Sequence, residues 1–485
     1  MNVDSGAVVL GITESVCPVC LRRIKAERIM EGDNVYLAKA CPEHGPFRAV
    51  IWRGQPAYQS WAVPKIPAQP PVCGTGVSQG CPFDCGLCPA HRQHSCCVLL
   101  EVTKRCNLNC AFCFAESGGG DTDPTISEIE GWYRTLLDSG GPYNIQLSGG
   151  EPTLRDDLPE IITAGRSLGY EFFQLNTNGL RLAREPGYVQ SLKKAGLSCV
   201  FLQFDGIDDT IYKKLRGTAL LEEKKAAISA CTEQQLGVVL VPTLVPGVNT
   251  QDIGGIIQFA VERMPAVRGV HFQPISYFGR YPKEPEDNDR ITIPEVINAI
   301  ERQTEGRMKM ADFHPPTAEN AYCSFHGKFV LMDNGTLKAG KKEGGCCRRQ
   351  TAGAKRAQAF VAKRWAAPQS GEKKAGLTEA AKNFNAINVD SLDAYIDRID
   401  KYSLSISGMA FQDVWNVDLE RLRDCFIHVV SPDNRIIPFC AYNLTGALGK
   451  PLHRRKKDCG GCDERDDEEQ NAARSMDCEE DRGRW

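Results

Sequence analysis

The hydrophobic and polar positions alternate between strand-like and helix-like stretches over residues 98–300. Short apolar runs predict strands at 98–102, 143–147, 171–175, 198–204, 238–245 and 269–273. The first stretch between them carries an apolar face at helical spacing, formed by Ile126, Ile129, Trp132, Tyr133, Leu136 and Leu137. Six strands that alternate with helices predict an α/β fold with a parallel sheet and right-handed crossovers, curved into a partial (β/α)6 barrel.

The pattern changes outside this barrel. Residues 1–72 are predicted to form a small metal-binding domain and a linker rich in proline and aromatic residues, and residues 73–97 a cysteine-rich segment. Residues 301–450 are predicted to form a further unit, and residues 451–485 a charged tail. The chain exceeds the ~250–300 residues at which a single core usually stops growing, which agrees with several units.

Polar side chains stand at the ends of the third and fourth predicted strands. Asn176 ends the third strand, and Gln203 and Asp205 end the fourth. Sites in such sheets lie at the carboxyl ends of the strands, so the three residues are candidates to bind a cofactor or the substrate. The alternative is that they form turns or cap helices, because Asn-Gly and Asp-Gly are strong turn formers.

Composition narrows the class of protein. The formal net charge is −3, so nucleic acid is not an expected partner. No stretch approaches the ~20 uninterrupted apolar residues of a membrane helix. The N-terminus lacks a basic region followed by an apolar run, so we do not expect a signal peptide. The outlier is cysteine, with 22 residues. Their C-x2-C and C-x3-C-x2-C spacing favours metal ligation in a reducing cytoplasm over a secreted disulfide scaffold.

The loop after the first barrel strand carries the strongest chemical signal. Its thiols have C-x3-C-x2-C spacing and belong to Cys106, Cys110 and Cys113. A 4Fe–4S cube normally takes four ligands, so three thiolates leave one iron open. We expect this open iron to bind the amine and carboxylate of S-adenosylmethionine, which makes the three cysteines catalytic. A zinc knuckle is the alternative, but structural zinc usually takes four protein ligands.

Two cysteine knuckles near the N-terminus resemble those of rubredoxins and zinc ribbons. The candidate ligands are Cys17, Cys20, Cys41 and His44. Tetrahedral Cys3His is a normal zinc set, and iron could also occupy it. In the alternative, His44 caps a turn and the fourth ligand comes from elsewhere. A closed site is expected to be structural, or at most an electron relay.

The cysteine-rich segment repeats the C-x3-C-x2-C spacing. Its thiols belong to Cys81, Cys85 and Cys88. His91, His94, Cys96 and Cys97 follow in the same segment. The spacing predicts a closed auxiliary 4Fe–4S cluster with Cys96 as its fourth ligand, and Cys73 and Cys97 are the rivals for that place.

Cysteines between residues 301 and 450 suggest a third cluster. The candidates are Cys323, Cys346, Cys425 and Cys440, with Cys347 as the rival of Cys346. The alternative is that Cys425 and Cys440 are ordinary buried cysteines. Cys459 and Cys462 in the tail are assigned no role.

The central loop and the next predicted strand end together resemble the radical S-adenosylmethionine (radical SAM) superfamily. The loop places the aromatic Phe112 before its third cysteine, and the strand end reads Gly149-Gly150-Glu151. The resemblance implies that the Gly-Gly-Glu segment holds the methionyl amine of the cofactor and that Phe112 belongs to the cofactor site. A non-catalytic electron carrier is the alternative of another class, and such a carrier has no use for this segment.

Five segments resemble one branch of the superfamily, the archaeal tetraether lipid synthases and related enzymes first described as pterin methylases. They cover residues 17–45, 80–88, 102–110, 323–327 and 436–443. The resemblance implies the radical SAM cluster, two auxiliary 4Fe–4S clusters and a mononuclear iron or zinc site. It also implies coupling of two terminal methyl carbons of isoprenoid ether lipids to macrocyclic archaeol or tetraether lipid. Methylation of a pterin-type heterocycle is the alternative activity.

The expected mechanism begins with reductive cleavage of S-adenosylmethionine to a 5′-deoxyadenosyl radical, which removes a hydrogen atom from an unactivated carbon. A ferredoxin- or flavodoxin-type electron donor is the expected partner, in the cytoplasm with peripheral contact to the membrane. A lipid substrate predicts an apolar tunnel to the open iron, whereas a short polar pocket favours a pterin. The cluster that involves Cys425 and Cys440 is expected to hold a carbon radical.

Overall fold

The computed structural model of the protein describes residues 6–63, 65, 68–118, 122–316, 318–340, 353–366 and 392–454. Four cysteines named above lie outside the described residues, namely Cys346, Cys347, Cys459 and Cys462. Within the described ranges, no helix is long and apolar enough to cross a lipid bilayer.

The N-terminal region forms an antiparallel sheet whose four strands follow one another in order. The strands are β1 (Ala7–Val16), β2 (Arg23–Glu31), β3 (Asn34–Cys41) and β4 (Gly45–Arg53). The short helix α1 (Tyr58–Trp61) follows, and the ring of Tyr58 stacks on that of Tyr322 with centroids 3.8 Å apart. This stacking fixes the aromatic linker against a later part of the chain.

The barrel region forms parallel strands where the alternating pattern predicts them. In chain order they are β5 (Cys97–Thr103), β6 (Asn144–Gly149), β7 (Phe173–Thr177), β8 (Cys199–Gln203), β9 (Gly237–Val241), β10 (Thr243–Leu244) and β11 (Val267–Pro274). Consecutive strands from β5 to β9 pair in parallel, and β11 pairs in parallel with β9. The predicted α/β barrel is therefore confirmed.

Helices connect these strands. They are α2 (Ile126–Asp138), α3 (Leu158–Ser167), α4 (Leu180–Arg184), α5 (Tyr188–Ala195), α6 (Asp209–Arg216), α7 (Leu221–Glu233), α8 (Ile253–Glu262) and α9 (Ile293–Gln303). Helix α2 begins with a capping box, in which the Thr125 hydroxyl accepts from the Glu128 amide and the Glu128 carboxylate accepts from the Thr125 amide. Its predicted apolar face is buried at Ile129, Trp132 and Tyr133.

Strands from residues 301–450 extend the barrel sheet at both of its edges. These strands are β12 (Ser324–Leu331), β13 (Leu337–Ala339), β14 (Ser403–Met409), β15 (Ile427–Val430) and β16 (Ile436–Pro438). β14 pairs in parallel with β11, and β15 pairs in parallel with β5. The boundary predicted at residue 300 therefore does not separate two sheets.

The described residues of this part of the chain form four further helices. They are α10 (Gly353–Trp365), α11 (Leu392–Lys401), α12 (Leu419–Arg423) and α13 (Phe439–Asn443). Successive side chains of each barrel strand point to opposite faces of the sheet. On β6, Ile145 and Leu147 are fully buried, while Gln146 between them faces a cavity inside the barrel. Helix α10 contributes Trp365 to the same cavity, which we call the lumen, where its ring lies 4.6 Å from that of Phe201.

Candidate active site and thiol clusters

The central cysteine loop leaves the carboxyl end of β5 and is fixed by backbone contacts. The amide of Cys113 donates to the Arg280 carbonyl at 2.9 Å, and the Arg280 amide donates back at 3.0 Å. Cys110 is buried, whereas Cys106 and Cys113 are half-buried. Burial is the main cause that raises the pKa of the Cys106 thiol, and Glu151 and the other two thiols add to it. Three thiols on one loop fit the ligand set of a 4Fe–4S cluster with an open iron.

Gly149 and Gly150 let the end of β6 approach this loop. The Gly150 amide donates to the Thr103 carbonyl, and the Glu151 amide donates to the Arg105 carbonyl, both at 2.8 Å. A Cβ atom on Gly150 would lie 2.1 Å from the Arg105 carbonyl oxygen. Only glycine fits at this distance, so the backbone of the Gly-Gly-Glu segment reaches the base of the cysteine loop.

The Glu151 carboxylate is buried and accepts four hydrogen bonds from the protein. Its donors are the Thr153 amide and hydroxyl, the Thr177 hydroxyl and the Asn178 amide. These bonds join the carboxyl ends of β6 and β7. Contact between the Gly-Gly-Glu segment and the methionyl amine stays a prediction, and the carboxylate itself is occupied by protein donors.

Asp205 is likewise occupied. Its carboxylate accepts from the Arg216 guanidinium at 2.7 and 2.8 Å and from the Thr243 amide at 3.2 Å. Both side chains of the ion pair are buried. Asp205 therefore braces α6 against β10, and the Arg216 side chain lies beside Cys110 of the cysteine loop.

The lumen has a volume of about 630 Å³ and extends to Cys113 and Phe112. Its walls carry amide, hydroxyl and imidazole groups from the strands, namely Asn144, Gln146, Gln174, Asn176, His271, Gln273, Ser324, His326, Ser405 and Ser407. Asn176 accepts from Gln174 Nε2 at 2.7 Å, which places this predicted residue in the wall. Gln203, the other predicted amide, has a buried Oε1 that accepts no hydrogen bond from the described residues.

Three buried polar atoms of the lumen have no partner among the residues that the structure describes. They are Oε1 of Gln174, Nε of Arg356 and Nε1 of Trp365. Buried polar groups are almost always hydrogen-bonded, and leaving one unpaired costs about 1–3 kcal/mol. One acceptor and two donors without partners indicate a ligand that offers both kinds of group.

Glu319 supplies a carboxyl group to the lumen. It is 5% exposed, accepts from the Ser324 hydroxyl and lies beside Cys96. Burial raises the pKa of Glu319 to about 7. Cys97, next to Cys96, accepts from Gln146 Nε2 at 3.2 Å. Both vicinal thiols therefore line the lumen.

A second, small cavity contains the thiols of Cys81, Cys85 and Cys88. The predicted fourth ligand, Cys96, does not line this cavity, and His91 does. Cys96 therefore lies in the wall of the lumen and not in this cavity, and its place as the fourth ligand stays a prediction. Within β5, Cys97 shares the lumen-facing side of the strand with Leu99, and Cys96, the residue just before the strand, lies in the same lumen wall.

The third thiol site brings Cys323, Cys425 and Cys440 together around Arg421. Nη2 of Arg421 donates to the Cys323 sulfur at 3.5 Å, and the Arg421 charge also acts on Cys440. Burial raises the pKa of Cys440 to about 12 and that of Cys425 well above its usual range. Buried thiols of this kind become thiolates only beside positive charge or metal.

Arginines with an unpaired buried N–H accompany all three thiol sites. Nη2 of Arg280 and Nε of Arg454 lie by the central loop, Nε of Arg423 by the small cavity, and Nε of Arg421 by the third site. The sulfide ions of an iron–sulfur cluster accept such hydrogen bonds. The three sites therefore fit clusters, with protein donors already in place.

The N-terminal knuckles bring their four predicted ligands together. The ligand atoms of Cys17, Cys20, Cys41 and His44 all lie within 4.8 Å of one another. Nδ1 of His44 is 3.4 Å from the Cys41 sulfur and 3.7 Å from the Cys17 sulfur. This is the compact Cys3His arrangement that a single tetrahedral ion requires.

Comparison with known proteins assigns the family. Residues 100–260 match the family model of the radical SAM superfamily, and residues 9–53 match the HMPTM N-terminal zinc ribbon domain. The chain is 35% identical to the 7,8-dihydro-6-hydroxymethylpterin dimethyltransferase of Methanocaldococcus jannaschii, over 94% of this chain and 99% of the relative. The chain belongs to this pterin dimethyltransferase family. It is a radical SAM enzyme, which implies S-adenosylmethionine and a 4Fe–4S cluster as cofactors.

Two other likenesses cover part of the chain. A probable GTP 3′,8-cyclase of Methanothermobacter thermautotrophicus is 32% identical over 34% of this chain and 53% of its own. The crystal structure of Streptococcus suis SuiB is 16% identical with a TM-score of 0.36, over 44% of this chain and 47% of that chain.

The expected coupling of isoprenoid ether lipids is wrong for a member of the pterin dimethyltransferase family. The relative that matches nearly the whole chain is a dimethyltransferase of a pterin, which was the alternative activity. The lumen itself is lined mostly by apolar groups, with amide, hydroxyl and imidazole groups of the strands set among them. The sequence motifs are predicted for the branch as a whole and supply candidate cluster ligands, so they do not identify the substrate.

Several residues of the lumen were missed from the sequence. Gln146, Gln174 and Glu319 carry its polar chemistry, with Arg356 and Trp365 from α10. A signal was present for the two glutamines, since each stands between two large apolar residues of a predicted strand. No local pattern marks Glu319, Arg356 or Trp365.

Proposed function

We propose that the protein transfers methyl groups to 7,8-dihydro-6-hydroxymethylpterin or a closely related reduced pterin inside the lumen. The observation that carries the proposal is the set of unpaired buried atoms, Gln174 Oε1, Arg356 Nε and Trp365 Nε1. A pterin ring presents N–H donors and carbonyl or ring-nitrogen acceptors along its edges, which matches this set. A cavity of about 630 Å³ lies within the usual range of small-molecule sites.

The residues of the chain have separate roles in this proposal. Cys106, Cys110 and Cys113 hold the radical SAM cluster, which when bound supplies the 5′-deoxyadenosyl radical that takes a hydrogen atom from a C–H bond. Glu319 accepts hydrogen bonds from the 2-amino group and the adjacent ring N–H of the pterin. Gln174 pairs with a further N–H of the ring, and the contacting pair of Phe201 and Trp365 packs against one face of the pterin.

Further metal sites complete the proposal. The donor sets favour two auxiliary 4Fe–4S clusters, one at Cys81, Cys85 and Cys88 and one at Cys323, Cys425 and Cys440. The Cys3His site holds one zinc or iron ion. A ferredoxin- or flavodoxin-type protein supplies the electrons that reductive cleavage of S-adenosylmethionine requires. Two molecules of S-adenosylmethionine are consumed per methyl group: one is cleaved to the radical, and the other gives up its methyl group and leaves as S-adenosylhomocysteine, with electrons from the same donor protein.

The decisive experiment incubates the reconstituted enzyme with a reductant, S-adenosylmethionine and 7,8-dihydro-6-hydroxymethylpterin. Mass spectrometry is expected to show the addition of one and then two methyl groups. Failure to methylate the pterin, while S-adenosylmethionine is cleaved to 5′-deoxyadenosine, would contradict the proposed substrate.

The role of Glu319 is tested by comparing the pterin with its deaminated analogue, in which a carbonyl replaces the 2-amino group. The wild-type enzyme is expected to prefer the pterin, and E319Q to lose on the order of tenfold or more of this preference, since a hydrogen bond to a buried charged group is worth about 1.5–3 kcal/mol. E233Q is the matched control, because Glu233 is exposed at the end of α7. Unchanged preference in E319Q would remove Glu319 from the site.

A further inference from the structure

We infer that His91 is the fourth protein ligand of the auxiliary cluster held by Cys81, Cys85 and Cys88. The small cavity that contains these thiols is closed by Gly86, Leu87, Ala90, His91, Leu422, Arg423 and Pro438. The arginine carries no lone pair that can bind a metal. Within this lining, the imidazole is therefore the one side chain besides the three thiols that can ligate iron.

The local chain geometry places the imidazole at the cavity. The His91 amide donates to the Cys88 carbonyl at 2.9 Å, which folds residues 88–91 into a turn. The turn brings His91 back towards the sulfur of Cys88, three residues earlier in the chain. All four candidate ligands are buried.

Hydrogen bonding fixes which nitrogen of His91 remains available. Nε2 lies 2.8 Å from the Cys425 carbonyl oxygen, and a carbonyl only accepts, so Nε2 carries the proton. Nδ1 is then the nitrogen with a free lone pair. Metal-bound histidines usually donate their other N–H to a carbonyl or carboxylate in this way, which orients the ring. His428 packs edge-on against His91, with centroids 5.1 Å apart, and restricts the ring further.

The rival cysteines are engaged or lie elsewhere. Cys96 and Cys97 line the lumen, where Cys97 accepts from Gln146. Cys73 is exposed and does not line the small cavity. The Arg423 side chain acts on the Cys81 thiol, and its Nε has no hydrogen-bond partner among the described residues, so the sulfide of a cluster could accept from it.

Histidine ligation has a chemical consequence for this cluster. A neutral imidazole in place of a thiolate makes the cluster one unit less negative, and replacing thiolate by histidine raises the reduction potential of iron–sulfur centres. His91 also connects two sites, because its N–H group bonds to the backbone of Cys425, a residue of the third thiol site. The auxiliary cluster, with its higher reduction potential, would then lie beside the third thiol site as an electron acceptor.

The inference is tested on the reconstituted full-length chain by pulsed EPR of its reduced clusters. Wild-type protein grown with ¹⁵N-histidine is expected to show a histidine nitrogen coupling that H91C lacks, while H91C keeps its iron and its cluster takes a lower midpoint potential. H94C is the matched control, since His94 lines neither cavity, and it should keep the coupling. C96S and C73S should also keep the coupling and the iron.

Several results would overturn the inference. Absence of any histidine nitrogen coupling in the wild-type protein would overturn it. This result needs no mutation, so it decides the question even if H91C fails to fold. Loss of the cluster in C96S or C73S, with H91C unchanged, would assign the position of the fourth ligand to that cysteine. The inference assumes the proposed auxiliary cluster but not the pterin substrate. Iron analysis distinguishes a wrong ligand from a missing auxiliary cluster, because a chain with only the radical SAM cluster would lack the auxiliary iron altogether.

Discussion

The Asp205 carboxylate is held by the Arg216 guanidinium through two hydrogen bonds of 2.7 and 2.8 Å, with both groups buried. The pair joins the end of β8 to the end of α6, directly beside the Cys110 thiol. Asp205, which was predicted to bind the cofactor or the substrate, thus holds Arg216 in place beside the cysteine loop.

Removal of Arg216 is expected to be costly. In R216A the Asp205 carboxylate stays buried without its partner, and we expect a loss of about 3–5 kcal/mol in the free energy of unfolding. Urea denaturation followed by circular dichroism measures this value. R184A is the control, because Arg184 pairs with Glu223 at the surface and such pairs contribute about 0–1 kcal/mol. Equal losses in the two variants would contradict the prediction.

A methyl group at position 150 is expected to displace the cysteine loop. The added Cβ of G150A would meet the Arg105 carbonyl oxygen at 2.1 Å, and overpacking of this kind costs about 1–3 kcal/mol. We expect reduced iron at the central cluster and slower cleavage of S-adenosylmethionine, measured by iron content and 5′-deoxyadenosine release.

G131A is the matched control for that variant. Gly131 lies within α2, and a Cβ atom there would contact nothing within 4 Å. Alanine in a helix interior stabilises by about 0.5–1 kcal/mol relative to glycine. G131A should therefore keep full cofactor cleavage and have a slightly higher melting temperature. A loss of cleavage in G131A like that in G150A would show that the defect does not come from the close contact at Gly150.

The stability of the protein is expected to depend on the Glu319 carboxyl group. Burial raises its pKa from an ordinary value near 4.5 to about 7, so the folded state binds more protons than the unfolded state between these values. The free energy of unfolding should therefore fall as pH rises through this window, by roughly 3 kcal/mol at most.

Denaturation from about pH 5 to about pH 8 checks this dependence. E319Q should lack this part of the slope and gain stability relative to the wild type as pH rises, whereas E233Q should follow the wild type. Parallel curves for E319Q and the wild type would show that Glu319 does not titrate in this range.

Loss of a thiol from the third site is expected to remove a cluster but not the radical SAM cluster. C440S should contain about four fewer irons per chain and still cleave S-adenosylmethionine, since Cys106, Cys110 and Cys113 are untouched. Iron analysis and EPR of the reduced protein measure the change. C231S is the control, because Cys231 is buried in α7, away from all three thiol sites. Unaltered iron in C440S would exclude this residue as a ligand.

The sequence predicted the parts of the fold that depend on neighbours in the chain. Alternating apolar stretches predicted the parallel barrel, and the apolar face between Ile126 and Leu137 predicted α2. Cysteine spacing located the central loop and both N-terminal knuckles, because ligands on one short loop are brought together by that loop alone. His44 was found in this way, three residues after Cys41.

Tertiary structure decided the ligand sets and the substrate chemistry. Cys96 follows Cys88 closely in sequence, yet the fold places Cys96 in the wall of the lumen and leaves His91 at the small cavity. Glu319 meets Cys96 only because the sheet curves until the segment before β12 reaches the start of β5. Local spacing determines which residues one loop can gather. The curvature and register of the whole sheet determine which distant side chains share a cavity, and hence what that cavity can bind.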